Sequence, residues 1–132
     1  GCVGFGEEYT RVEGFSNRDV GAIVLKGTTR EPRLGNPAHR VYETPMGMLN
    51  AIGLQNPGVD HVVRRILPGL DFSETHFFAN VCGSSLEEYV EVARRFLRRC
   101  HVCLIRQTAK GVSRGKARNV VSGLHRLRNR SG

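Results

Sequence analysis

Ala22-Ile23-Val24-Leu25-Lys26-Gly27-Thr28-Thr29 is the stretch from which the fold is read. Four apolar residues in a row, closed by a lysine and a glycine-led turn, read as a short strand buried on both faces. Beyond it, residues 30–47 read as loop, broken by Pro32, Gly35, Pro37, Pro45 and Gly47. A connector of that length without a helix is unusual, and long ordered loops are often functional. Val59, Val62, Val63, Ile66 and Leu67 then recur at helical spacing, which predicts a helix over 58–67 ended by Pro68-Gly69. Phe77-Phe78-Ala79-Asn80-Val81 is a second buried strand. A serine at 84 or 85 caps a second helix, with Glu87 and Glu88 in the first turn, where the helix N-terminus favours acids. Tyr89, Val90, Val92, Ala93, Phe96 and Leu97 supply the apolar face of that helix.

Strand, loop, helix, strand, helix is the grammar of an α/β protein with a parallel sheet. Two such units cannot close a barrel, which takes about 250 residues. The pattern therefore reads as part of something larger.

The chain has 132 residues, 39% of them hydrophobic, enough for one modest domain and too apolar for compositional disorder. No run of 18 apolar residues exists, so no membrane span is expected. The opening Gly1-Cys2-Val3-Gly4 carries no basic region ahead of an apolar stretch, so no signal peptide is read, and the true start is expected upstream. The net charge of +8 conceals an asymmetry. Residues 1–93 carry 8 basic and 12 acidic side chains, a net of −4, whereas residues 94–132 carry 12 basic and none acidic, a net of +12. Such a shift divides the chain into a balanced segment and a basic tail. The cysteines, Cys2, Cys82, Cys100 and Cys103, are expected as free thiols in a reducing compartment. Cys100-His101-Val102-Cys103 lacks a second ligand pair for zinc and a thioredoxin-like context for redox work, so no metal site is assigned.

In parallel α/β folds, ligands bind at the carboxyl ends of the strands. Lys26 ends the first strand and Asn80 lies near the end of the second, while Asn50 precedes a turn containing Gly53. One cation and two carboxamides suit the lactam edge of a pyrimidine or flavin and a neighbouring carboxylate. Gly53 permits close backbone approach with N–H groups left for an anion. On residue pattern alone, a simpler account stands beside each. Lys26 is a solvated surface charge, Asn50 caps its own backbone, Asn80 is an ordinary strand-end residue, and Gly4 and Gly6 are turn glycines. Residues 4–6 are no dinucleotide-binding fingerprint.

Longer motifs add a resemblance. Residues 1–9 look like the opening segment of the dihydroorotate dehydrogenase family. Lys26-Gly27-Thr28-Thr29, Pro32-Arg33-Leu34-Gly35-Asn36-Pro37 and Arg40-Val41-Tyr42-Glu43-Thr44 follow the family in order. Met48-Leu49-Asn50-Ala51-Ile52-Gly53-Leu54-Gln55-Asn56-Pro57-Gly58 is the strongest match, and it resembles the NAD-linked, two-subunit class 1B. Phe78-Ala79-Asn80-Val81, Gly83-Ser84 and Glu88-Tyr89-Val90 continue it to about residue 96. The resemblance implies a (β/α)₈ TIM barrel holding FMN and oxidising dihydroorotate to orotate in pyrimidine synthesis. Electrons would reach NAD through a partner subunit carrying FAD and a 2Fe-2S cluster, in a cytoplasmic homo-oligomer. It implies that Lys26 touches both FMN and substrate, and that Gly27 and Asn80 bind FMN. It implies that Asn50, Ala51, Ile52, Gly53 and Leu54 form the substrate loop.

After Phe96 the resemblance stops. The family continues with an Asn-x-Ser-Cys-Pro-Asn motif that supplies the base cysteine, and neither Cys100 nor Cys103 is followed by Pro-Asn. No catalytic residue is therefore assigned, and this segment alone is expected to be inactive. Residues 97–132, rich in arginine and poor in apolar periodicity, fit a shifted reading frame. The alternatives are a tail that binds nucleic acid through phosphates, or an end without specific function. No aromatic residue follows Phe96 to stack bases.

Overall fold

The computed structural model describes residues 4–5, 8–98 and the backbone of Cys103–Arg106. Two short 3₁₀ turns, Tyr9–Arg11 and Asn17–Asp19, lead into β1, Ala22–Val24. The second turn is closed by a reciprocal cap: Ser16 N–H donates to the Asp19 carboxylate at 2.7 Å, and the Ser16 hydroxyl accepts from Arg18 N–H at 3.3 Å. An antiparallel hairpin of β2, Val41–Thr44, and β3, Gly47–Asn50, follows. A helical run then spans residues 59–69. It opens as α1, Val59–His61, widens to π-helix over Val62–Ile66 and tightens to a 3₁₀ turn at Leu67–Gly69. β4, His76–Val81, α2, Leu86–Leu97, and β5, Cys103–Arg106, complete the order.

β1, β4 and β5 form one parallel sheet in the order β1-β4-β5. This mixed α/β arrangement accords with the strand–helix alternation of the sequence. Burial along β4 alternates: Phe77, Ala79 and Val81 are buried, and Phe78 and Asn80 are half-buried. In the first strand, Ile23 and Leu25 are buried, Val24 is half-buried and Ala22 is exposed. The strand read as buried on both faces is thus packed on one. That face joins Val59, Val62 and Leu67 of the helical run and Tyr89, Val92, Ala93 and Phe96 of α2 in a single apolar cluster.

The helix predicted over 58–67 runs two residues further. Pro68 does not end it, because a proline in the first residues of a 3₁₀ turn has no N–H to leave unpaired. Ser85 is the cap of α2, its hydroxyl accepting from Glu88 N–H at 3.3 Å. Arg95 lies between Glu91 of its own helix, at 2.8 Å, and Asp60 of α1, at 2.9 Å. Asp60 is exposed and Glu91 partly so, so neither pair adds much stability; the Asp60 pair links the two helices.

The expectation of loop over residues 30–47 is corrected by the hairpin. Its strands pair from Val41↔Asn50 to Thr44↔Gly47, leaving Pro45 and Met46 as a two-residue turn. Nearly every hairpin residue is exposed, so the chain shows none of the apolar alternation that marks a half-buried strand. β5 falls within the stretch read as a non-matching tail, and its backbone pairs with Phe78–Val81. Leu97 and Arg98 of that tail close α2, and residues 99–102 and 107–132, with Cys100 and His101 of the CxxC, lie outside the described residues.

Candidate active-site cleft

The strand pairing slips by one residue where β1 ends. Val24 pairs with Phe78, but Thr28 bridges to Val81, so four steps on one chain span three on the other. Leu25 N–H donates to the Phe78 carbonyl and Thr28 N–H to the Asn80 carbonyl, both at 2.9 Å, which puts the extra residue at Lys26-Gly27. A bulge of this kind re-aims a side chain. Lys26 and Asn80 both line an open cleft of about 910 Å³ beyond the carboxyl ends of β1 and β4.

Gly27 sits on the floor of the cleft in a space no larger residue fits. A Cβ there would lie 2.9 Å from Cys82 Sγ and 3.0 Å from Leu54 Cδ1. Gly27→Ala is therefore expected to destabilise the chain by about 1–3 kcal/mol through overpacking. Urea unfolding of the single variants and of Gly27→Ala/Cys82→Ala checks this, with the double variant recovering part of the loss because it removes the sulfur.

Cys82 is 3% exposed, and its thiol donates weakly to Asn80 Oδ1 at 3.9 Å. Burial pushes this thiol above its ordinary range, against the opposing pull of Arg33 and then Lys26. Native Cys82 is thus expected to resist iodoacetamide at mildly alkaline pH and to react once urea is added, as read by peptide mass spectrometry. The unfolded chain gives up this proton first, so the thiol's contribution is whole below the ordinary thiol range and falls as pH climbs through it.

Over the cleft, the turn after β3 carries two successive residues in the left-handed region, Gly53 at φ +75° and Leu54 at φ +57°. Glycine holds that conformation without penalty, whereas Leu54 needs support from its surroundings. Asn56 gives it. Its side-chain amide donates to the Leu54 carbonyl at 2.8 Å and to Thr29 Oγ1 at 3.0 Å. Its Oδ1 accepts from Thr29 N–H at 3.1 Å and Gly58 N–H at 3.0 Å. A paired bridge between Arg33 and Asn56 backbones, at 2.8 and 3.0 Å, fastens the same segments together.

Of the residues singled out in the sequence, Lys26, Gly27, Asn50, Ile52, Gly53, Leu54 and Asn80 line this one cleft. Ala51 does not; its N–H and carbonyl are taken by Arg40 and Asn36. Val41 and Met48 of the hairpin add an apolar wall. Arg33, which sequence reasoning passed over, also lines the cleft, and its guanidinium donates to Ser84 Oγ at 2.9 Å. Nothing local in the sequence marks it, since Ser84 is 51 residues away. No cluster of three or more His, Cys, Asp or Glu suited to a metal ion occurs among the described residues.

A cation, carboxamides and a left-handed turn surround one opening, a mixed set of positive charge and amide donors and acceptors. The family model for dihydroorotate dehydrogenase matches residues 1–107. Catalytic subunits of dihydroorotate dehydrogenase B (NAD(+)) are similar as well. The protein of Bacillus caldolyticus is 58% identical over 93 residues, which is 70% of this chain and 29% of that protein. That of Anoxybacillus flavithermus is 57% identical over 95 residues, 72% of this chain and 30% of its own length. That of Listeria welshimeri is 54% identical over 95 residues, again 72% of this chain and 31% of its own length. The chain thus spans about three tenths of the length of these relatives. The family model runs to residue 107, some way past the boundary near 96 drawn from the motifs, and takes in β5. The chain belongs to the dihydroorotate dehydrogenase family.

Proposed function

We propose that this chain forms the opening strand–helix units of an FMN-containing (β/α)₈ barrel that oxidises dihydroorotate to orotate. The observation that carries the reading is the convergence of Lys26, Asn50, Asn80 and the 53–54 turn on one cleft at the strand ends. Lys26 supplies positive charge where a carboxylate and an electron-rich ring meet. Asn50 offers a donor and an acceptor to the pyrimidine edge. The left-handed turn holds the substrate's carboxylate end, and Val41 and Met48 offer apolar surface on one side. Ala51 supports the turn through its backbone.

The cleft suits FMN in its donor set. Lys26 and Asn80 would hold the polar edge of the ring system, and the absence of a Cβ at Gly27 keeps the floor clear between Cys82 and Leu54. When bound, FMN would accept the hydride from the substrate. On this reading electrons pass to NAD through a partner subunit with FAD and a 2Fe-2S cluster, in a cytoplasmic homo-oligomer. No helix among the described residues is long and apolar enough to cross a membrane. Without the Asn-x-Ser-Cys-Pro-Asn motif, the chain alone supports binding without turnover.

Flavin retention tests the proposal. The chain is mixed with FMN, freed of excess by gel filtration and read for visible absorbance, beside a nucleic-acid gel shift at two salt concentrations. Retained flavin with no shift supports the flavin-site reading. A salt-sensitive shift with no flavin contradicts it and favours phosphate binding by the basic tail.

A further inference from the structure

The turn over the cleft is gripped from outside by the preceding loop. Asn36 N–H donates to the Ile52 carbonyl at 3.0 Å, and Asn36 Nδ2 donates to the Ala51 carbonyl at 2.8 Å. Ala51 N–H donates to the Arg40 carbonyl at 2.8 Å. The Arg40 guanidinium spans the gap: one nitrogen donates to Gln55 Oε1 at 2.6 Å and the other to the Asn36 and Leu34 carbonyls at 3.0 and 3.3 Å. The loops interlock at two glycines. A Cβ on Gly53 would lie 2.7 Å from Asn36 N, and one on Gly35 would run into the Ile52 carbonyl and lie 2.8 Å from the Arg40 guanidinium. Both glycines have positive φ, +75° and +78°. Neither Asn36 nor Arg40 lines the cleft.

We propose that Asn36 and Arg40 are positioning residues, which fix turn 51–55 in its ligand-binding form and thereby set the affinity of the cleft for a carboxylated pyrimidine. The proposal rests on the functional reading above and names the residues that act on its substrate turn from behind. Only a planar fork bridges Gln55 and two carbonyls at once; an ammonium at position 40 reaches too few of them. Holding the turn before the ligand arrives removes an ordering cost from binding.

The test uses the full chain and Arg40→Gln, with amide hydrogen exchange over residues 51–56 and an orotate titration in the presence of FMN. Arg40→Gln is expected to speed exchange at 51–56 about tenfold, leave the amides of β4 unchanged, and weaken orotate about tenfold. Arg40→Lys is expected to recover little of either. Unchanged exchange at 51–56 would overturn the proposal. So would faster exchange with unaltered orotate affinity. A parent chain that binds no orotate contradicts the functional reading and the ligand half of this proposal, while exchange still decides the clamp.

Discussion

Replacing Asn56 with alanine is expected to cost the chain about 3–5 kcal/mol and to release the turn above the cleft. Asn56 is 5% exposed, and its side chain serves Thr29 and Gly58 as acceptor and Leu54 and Thr29 as donor. Alanine leaves buried N–H groups on Thr29 and Gly58 without acceptors and the Leu54 carbonyl without its donor. Each such group costs about 1–3 kcal/mol, and water reaches the site poorly. Set against the net stability of about 5–15 kcal/mol usual for a folded domain, the loss is a large fraction. Asn56→Asp separates the two roles, since it keeps the acceptor for Thr29 and Gly58 and deletes the donor to Leu54. Urea midpoints are expected to fall furthest for alanine. Amide exchange at Gly53 and Leu54 is expected to rise in both variants. A midpoint within error of the parent for Asn56→Ala would show that the hub contributes nothing.

Lys26→Met is expected to weaken orotate binding while leaving the fold in place. The substitution keeps the aliphatic stem and deletes only the charge. Lys26 is half-buried at the bulge and lines the cleft. A charge-assisted contact to a carboxylate is stronger than a neutral one, and its loss should weaken binding about 10- to 100-fold. The urea midpoint should stay near that of the parent. Calorimetric titration with orotate checks the first expectation and urea unfolding the second. Unchanged affinity with an intact fold would remove Lys26 from the site.

How far the sequence carries is seen residue by residue. Lys26 and Asn80 were singled out because Lys26 closes one apolar run and Asn80 lies near the end of another, and strand ends are where parallel sheets place ligands. α2 was legible because its cap, acidic first turn and apolar spacing are all local. The bulge at Lys26-Gly27 was not, since pairing register belongs to two strands and neither shows it alone. The hairpin was hidden by Pro45 and by exposure of both its faces, which removes alternation. Asn56 carries no local sign of its role; its partner Thr29 is 27 positions away, and only folding makes it a hub. Arg33 and Arg40 were passed over for the same reason. Ser84, the partner of Arg33, and Gln55, one of the partners of Arg40, belong to other segments, and a charged residue in a loop reads first as solvated surface.

The cleft as the orotate site is tested most directly by nuclear magnetic resonance on the ¹⁵N-labelled chain, titrated with orotate with FMN present. Saturable shifts are expected to be confined to Lys26, Gly27, the amides of residues 50–54 and Asn80, and to need about 10- to 100-fold more orotate in Lys26→Met. Shifts absent from these residues, or gathered elsewhere on the chain, would contradict it.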